Sequence, residues 1–198
     1  MKTRPITLGP ELFALLNKKQ WVGNQKPVIY GNGGLSPTEL DNIESALGFP
    51  LPPDFRYLLA NIRDDDGVLF PWKNFDKQKY DQTIEWVWEG IAFDIENNAE
   101  WMEDRWGVRP KSPSERLAIA RKDFESWPRL LPVYGHRFLP ATPCKDGNPV
   151  FSIMQTDIIY YGANLAHYLA NEFIDQDRDL HVNKPDIRHI PIWSEFAR

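Results

Sequence analysis

PRLLPVYGHRFLPATPCKDGNPVFSIMQTDIIYYG, residues 128–162, is the stretch whose reading decides the fold. Two apolar, β-favouring runs, Leu130 to Tyr134 and Val150 to Tyr161, flank a loop punctuated by Pro140, Pro143, Gly147 and Pro149. That pattern predicts strand, loop and strand, the second run apolar enough to lie inside a sheet. His136 and Arg137 stand at the hinge between Gly135 and Phe138. A basic pair beside a glycine is either a ligand clamp or a structural pair that caps carbonyls, and the residues leave both open.

Upstream, the chain spells helices. Pro10 to Gln20 places Leu12, Leu15 and Leu16 on one face, and residues 23–34, with their glycines, read as a connector. The run Gly31-Asn32-Gly33-Gly34 lacks the terminal Lys and Ser or Thr of a phosphate-binding loop. Ser36-Pro37-Thr38-Glu39 is a capping-box start, with Leu40, Ile43 and Leu47 as the buried stripe and Gly48 placed to end the helix. After a proline elbow at residues 49–53, Asp54 opens a second helix with Phe55, Leu58, Leu59 and Ile62 inward. Asp64-Asp65-Asp66-Gly67 reads as a solvated turn. In a calcium-loop register the first and twelfth positions fall on Ile62 and Lys73, neither a side-chain oxygen donor.

Ile84, Trp86 and Trp88 alternate with Glu85, Val87 and Glu89, which predicts a strand, with a short helical turn as the alternative. Gly90 breaks the run, and Ile91 to Ile95 follows as a further strand, putting Asp94 and Glu96 on one face. Asn98 is expected to cap a helix with Trp101, Met102 and Trp106 that stops at Gly107. Ser112-Pro113-Ser114-Glu115 repeats the capping signature ahead of Leu117, Ala120, Phe124 and Trp127. Asn164 caps a helix with Leu165, Tyr168, Leu169 and Phe173, and Trp193 and Phe196 are expected to dock the tail. The predicted class is α+β, one chiefly antiparallel sheet with helices against it.

Three stretches resemble, in order, a bacterial branch of the SUKH superfamily, which includes a fungal cell-wall-synthesis regulator domain and immunity proteins of bacterial toxin systems. LSPTELDNIESALGFPLPPDFRYLLANI is similar to its opening helix pair, and GIAFDIENNAEW with WGVRP to its central segment. VYGHRFLP, GNPVFS and QTDIIYYGANL are similar to its strands. The resemblance implies a single SUKH-like domain over 1–198: an N-terminal helix and connector (1–34), a family-like core (35–173) and a docked tail (174–198). It further implies a binding module and no catalyst. Members commonly have an Asn-Gly turn where this chain has its aspartate triplet.

Composition narrows the function. A length of 198 residues suits one sizeable core, and 42% hydrophobic with 26% charged residues is ordinary for a soluble globular protein. No apolar run approaches the roughly 20 residues a membrane span needs, and the N-terminus lacks the pattern of a signal peptide. The lone Cys144 suits a reducing, cytoplasmic setting. A net charge of −5 argues against phosphate-driven nucleic-acid binding and suits a basic protein partner.

Catalytic and metal chemistry find little support. His136, His167, His181 and His189 are dispersed, so no metal and no cofactor are expected. Cys144 lies in a Pro- and Gly-rich loop with nothing to activate it. The candidate partner-binding residues are Trp72, Glu96, His136, Arg137, Asn148, Gln155, Asp157, Tyr160 and Tyr161, with Arg137 expected to pair with Asp157 or Glu96 if its role is structural. The leading expectation is a non-enzymatic immunity protein that neutralises a nuclease toxin. The alternatives are an intracellular regulatory scaffold and a small hydrolase using His136 with Cys144 or an aspartate.

Overall fold

The computed structural model describes residues 7–18, 29–31, 33–64, 67–174 and 187–197. The last two residues of the expected first helix, residues 23–28 and Asn32 of the expected connector, Asp65, Asp66, His181 and Pro185 lie outside them.

Helices and strands alternate unevenly. α1 (Pro10–Lys18), β1 (Ile29–Tyr30), α2 (Pro37–Leu47), α3 (Pro53–Ala60) and β2 (Ile62–Arg63) come first, with β1 and β2 paired antiparallel. A 3-10 turn at Trp72–Asn74 leads to α4 (Lys77–Asn97), α5 (Glu103–Trp106) and α6 (Pro113–Phe124). Four strands follow: β3 (Leu130–Tyr134), β4 (Arg137–Pro140), β5 (Val150–Met154) and β6 (Asp157–Gly162). Then come α7 (Leu165–Phe173) and α8 (Trp193–Phe196). The strands form an antiparallel meander in the order β3-β4-β5-β6, so the class is α+β, as expected.

The caps hold as their residues dictate. Ser36 Oγ accepts from Glu39 N while Glu39 returns a carboxylate to Ser36 N, and Gly48 closes α2 in the left-handed conformation. Ser112 caps α6, and Asn164 Oδ1 accepts from His167 N at 2.9 Å to start α7. Ile62 leaves the inward face of α3 because the helix stops at Ala60; it is half-buried in β2.

Several expectations fail. Residues 84–89 and 91–95 are not strands but parts of the 21-residue α4, started by Asp76, whose Oδ1 accepts from Gln78 N at 2.8 Å. Tyr80, Ile84, Val87, Trp88, Ile91 and Ile95 recur at the helical period and face the core, while Trp86 points outward. Gly90 does not break the helix. A Cβ there would lie 3.0 Å from the Cα of Gln155, so the glycine lets α4 approach a turn of the sheet. Asn98 accordingly closes α4 and starts no helix.

The apolar run Val150 to Tyr161 is two strands, folded at Gln155-Thr156, and the expected loop before it contains β4. Each hairpin turns through two residues, Gly135-His136 and Gln155-Thr156, whose first member has positive φ (52° and 57°).

The sheet lies between two apolar clusters. Leu131, Val133, Leu139 and Val150 meet α1, α2, α3 and α7 on one side. Leu130, Phe138, Phe151, Ile153 and Ile158 meet α4, α6 and Trp193 on the other. The tail docks as expected: Trp193 is buried, and the Phe196 ring lies tilted against Trp127 with centroids 5.8 Å apart.

Candidate functional site

The meander places both two-residue turns at one end of the sheet, and α4 runs past that end. Thr83 and Trp86 stand near the first turn, Gly90 touches Gln155 in the second, and one turn further along Asp94 anchors it. Asp94 is buried, and its carboxylate accepts from Thr156 N (2.9 Å), Thr156 Oγ1 (2.6 Å) and Asn98 Nδ2 (2.6 Å). Burial alone raises its pKa, but these donors together outweigh it and hold the carboxyl below its ordinary value.

A carboxyl depressed in the fold stabilises above the unfolded value and loses that contribution as the pH falls below about 4. Asp94→Asn is therefore expected to cost about 1–3 kcal/mol at neutral pH and to flatten the acid side of the stability profile. Urea titrations of both proteins at neutral and acidic pH check this; an unchanged acid limb contradicts it.

Between α4 and the turns lies an open groove of about 470 Å³ lined by Lys79, Gln82, Thr83, Trp86, Gly135, His136 and Met154. His136 is half-buried, and partial burial followed by the neighbouring Arg137 charge holds its pKa below the ordinary histidine value. It therefore stands neutral at neutral pH, with both donor and acceptor capacity on one ring.

Arg137 parts from His136. Its guanidinium lies 3.7 Å from the ring centre of Tyr161, donates to Ser152 Oγ at 3.0 Å, and has Nε 3.6 Å from Glu172 Oε2 on α7. Both charged side chains are largely buried, and burial pushes the Glu172 carboxyl up against the opposing pull of Arg137 and Tyr161. The basic pair is thus split. Arg137 is a strut between β4 and α7, and its partner is Glu172 in place of the expected Asp157 or Glu96.

The remaining candidates separate in the same manner. Trp72 is buried, donating Nε1 to Pro132 O at 3.0 Å. Asn148 is fully buried and ties the β4–β5 loop, donating to Pro140 O and Pro143 O and accepting from Arg188. Tyr160 is half-buried against Phe151. Glu96 and Asp157 are exposed, and Gln155 is half-buried at the turn. Asp94 and Glu96 do not share a face, because two residues along a helix turn them about 200° apart.

Cys144 and His136 fall at opposite ends of β4, which does not assemble the hydrolase pair. Cys144 Sγ donates to Leu51 O at 3.4 Å, and burial, with Glu44 and Asp54 nearby, pushes the thiol pKa up, away from a reactive thiolate. His167 is occupied locally, its Nδ1 accepting from Ala163 N. Asp64 closes its loop by accepting from Val68 N and Leu69 N. Among the described residues no group of three His, Cys, Asp or Glu side chains is placed to hold a metal ion, and no helix is long and apolar enough to cross a membrane.

Sequence reasoning missed the groove's most exposed apolar side chains, Trp86 and Met154, and Phe93 along the same helix (42%, 45% and 48% exposed). The signal was the seven-residue spacing of Trp86 and Phe93, two helical turns, visible only once residues 84–95 are read as helix. Compared with known protein families, curated proteins and solved structures, the chain matches none.

Proposed function

We propose that this protein is a non-enzymatic, SUKH-like protein-binding module, and most concretely an immunity protein that occludes a basic nuclease toxin. The observation that carries the reading is the ordered resemblance of three stretches across residues 35–173 to that family. The net charge of −5 adds support, since an acidic protein competes with nucleic acid for a basic active-site face and is steered toward it. In this reading the protein acts in the cytoplasm with a free Cys144 thiol.

The physical logic is occlusion. An inhibitor of this kind needs a rigid surface, and the groove between α4 and the two turns is held from behind by the Asp94–Thr156 bonds. The test is a titration of the purified protein into each protein encoded beside its gene, with binding and DNA and RNA cleavage as readouts. A one-to-one complex that abolishes cleavage and weakens with added salt is the expected result. Absence of both binding and inhibition overturns the immunity reading, and recovery of several unrelated cytoplasmic proteins in its place points to a regulatory scaffold.

A further inference from the structure

We infer that the exposed face of α4 is the partner-binding surface and that it takes a basic, Lys/Arg-rich protein face. The inference rests on the binding-module reading and adds the surface and the chemistry of its occupant.

The face has a repeated design. Trp86 and Phe93 lie seven residues apart, about 10 Å along the helix, and both stand outward at 42% and 48% exposure. Each is followed three residues later by an exposed glutamate, Glu89 and Glu96, which places an acid beside each ring on the helix surface. Met154, from the β5–β6 hairpin, continues the apolar strip across the groove. Two large rings left in water on a helix that buries Val87, Trp88, Ile91 and Ile95 are not needed by the core, which is already filled from the other side.

Charge selects the occupant. From Tyr80 to Asp104 the chain has eight carboxylates and no Lys or Arg; the two lysines of α4 stand in its first turn, Lys77 paired with Asp81 and Lys79 at the end of the groove. Three are committed internally: Asp81 to Lys77, Glu85 to Arg121, and Asp94 to Thr156. Among the described residues, Glu89, Glu96, Glu100, Glu103 and Asp104 form no ion pair. A second copy docking by the same face would set these acids against each other, and nucleic acid or an anionic membrane would be repelled. A cationic protein surface satisfies both components. Aliphatic stems of Lys and Arg cover the rings while their heads reach the flanking acids, with cation–π contact to Trp86 as the central anchor.

The test compares Trp86→Ala/Phe93→Ala and Glu89→Gln/Glu96→Gln with a control pair on α1, Glu11→Gln/Leu15→Ala, in the full chain. All six side chains are exposed, and thermal melting verifies that each variant keeps its fold. In titrations with the proteins encoded beside the gene, each α4 pair is expected to weaken the binding found by at least about tenfold and the α1 pair to leave it unchanged. The glutamate pair is further expected to reduce the salt dependence. Binding that survives both α4 pairs overturns the inference while leaving the immunity reading intact.

If the wild-type chain binds none of those proteins, the immunity reading falls. The face is then tested with a synthetic 20-residue peptide of Lys, Arg and Leu. Binding lost in the tryptophan–phenylalanine pair and kept in the α1 pair supports the inference; equal binding by all proteins overturns it. Dimerisation of the wild type that Trp86→Ala/Phe93→Ala abolishes assigns the face to a second copy and also overturns it.

Discussion

Trp193→Ala is expected to destabilise the protein by about 3–5 kcal/mol, the cost of deleting a large buried aromatic side chain. The indole is 1% exposed and meets Trp127 edge to face at 5.1 Å and Phe124 at 6.4 Å. Its Nε1 donates to Pro128 O at 2.8 Å, at the junction between α6 and β3. Ile190 and Ile192 are buried in the same cluster, and Arg188 reaches Asp146 O and Asn148 Oδ1. The segment 187–197 therefore closes the second apolar cluster and ties down the β4–β5 loop. Alanine leaves a cavity among Trp127, Phe124 and the sheet and strands the Pro128 carbonyl. In urea denaturation the midpoint is expected to fall with the slope unchanged, and near-ultraviolet dichroism to lose its Trp127–Trp193 contribution. A change below about 1 kcal/mol, the range of a surface substitution, contradicts the assignment of this segment to the core.

The docked tail was legible because two rings in a charged segment have nowhere else to go, and the helix starts at Ser36, Ser112 and Asn164 were legible because capping chemistry is local. What failed was non-local. Trp86, Val87 and Trp88 satisfy strand alternation and helical spacing alike over so short a window, and Gly90 looks like punctuation until Gln155 is known to press against it. The β5–β6 turn was hidden because Gln155, in place of Gly or Asn, takes the positive φ, and the turn is anchored through Thr156 by Asp94, 62 residues before that threonine in sequence. Arg137 was assigned partners near it in the strand region, yet Glu172 answers it across the α7 packing face. A glutamate four residues after Tyr168 and seven after Leu165, both buried, was the available sign of a charge facing inward. Those same long-range contacts decide which candidate residues are struts and which are left for a partner.

Trp72 makes that distinction testable, because it was read as a partner contact and lies in the core. β3 is an edge of the four-stranded sheet, and an unpaired edge invites association with other chains. Here its outward carbonyls are covered: Leu130 O accepts from Tyr80 Oη, Pro132 O from Trp72 Nε1, and Val133 O from Phe70 N. Pro132 itself withdraws a donor from that edge. The indole also stacks on Phe75 at 5.6 Å and meets Phe55 edge to face at 5.4 Å, so it joins α3, the 3-10 turn and β3. Trp72→Ala is expected to cost about 3–5 kcal/mol and to raise the aggregation rate by opening the edge. Trp72→Phe retains most of the apolar contact but leaves Pro132 O without its donor, for about 1–3 kcal/mol. Measured on folded protein, partner affinity of the phenylalanine variant should match wild type, whereas Trp86→Ala should lower affinity with little effect on stability. If instead Trp72→Phe abolished binding at unchanged stability, the indole would be a contact surface and its place in the edge cover incidental.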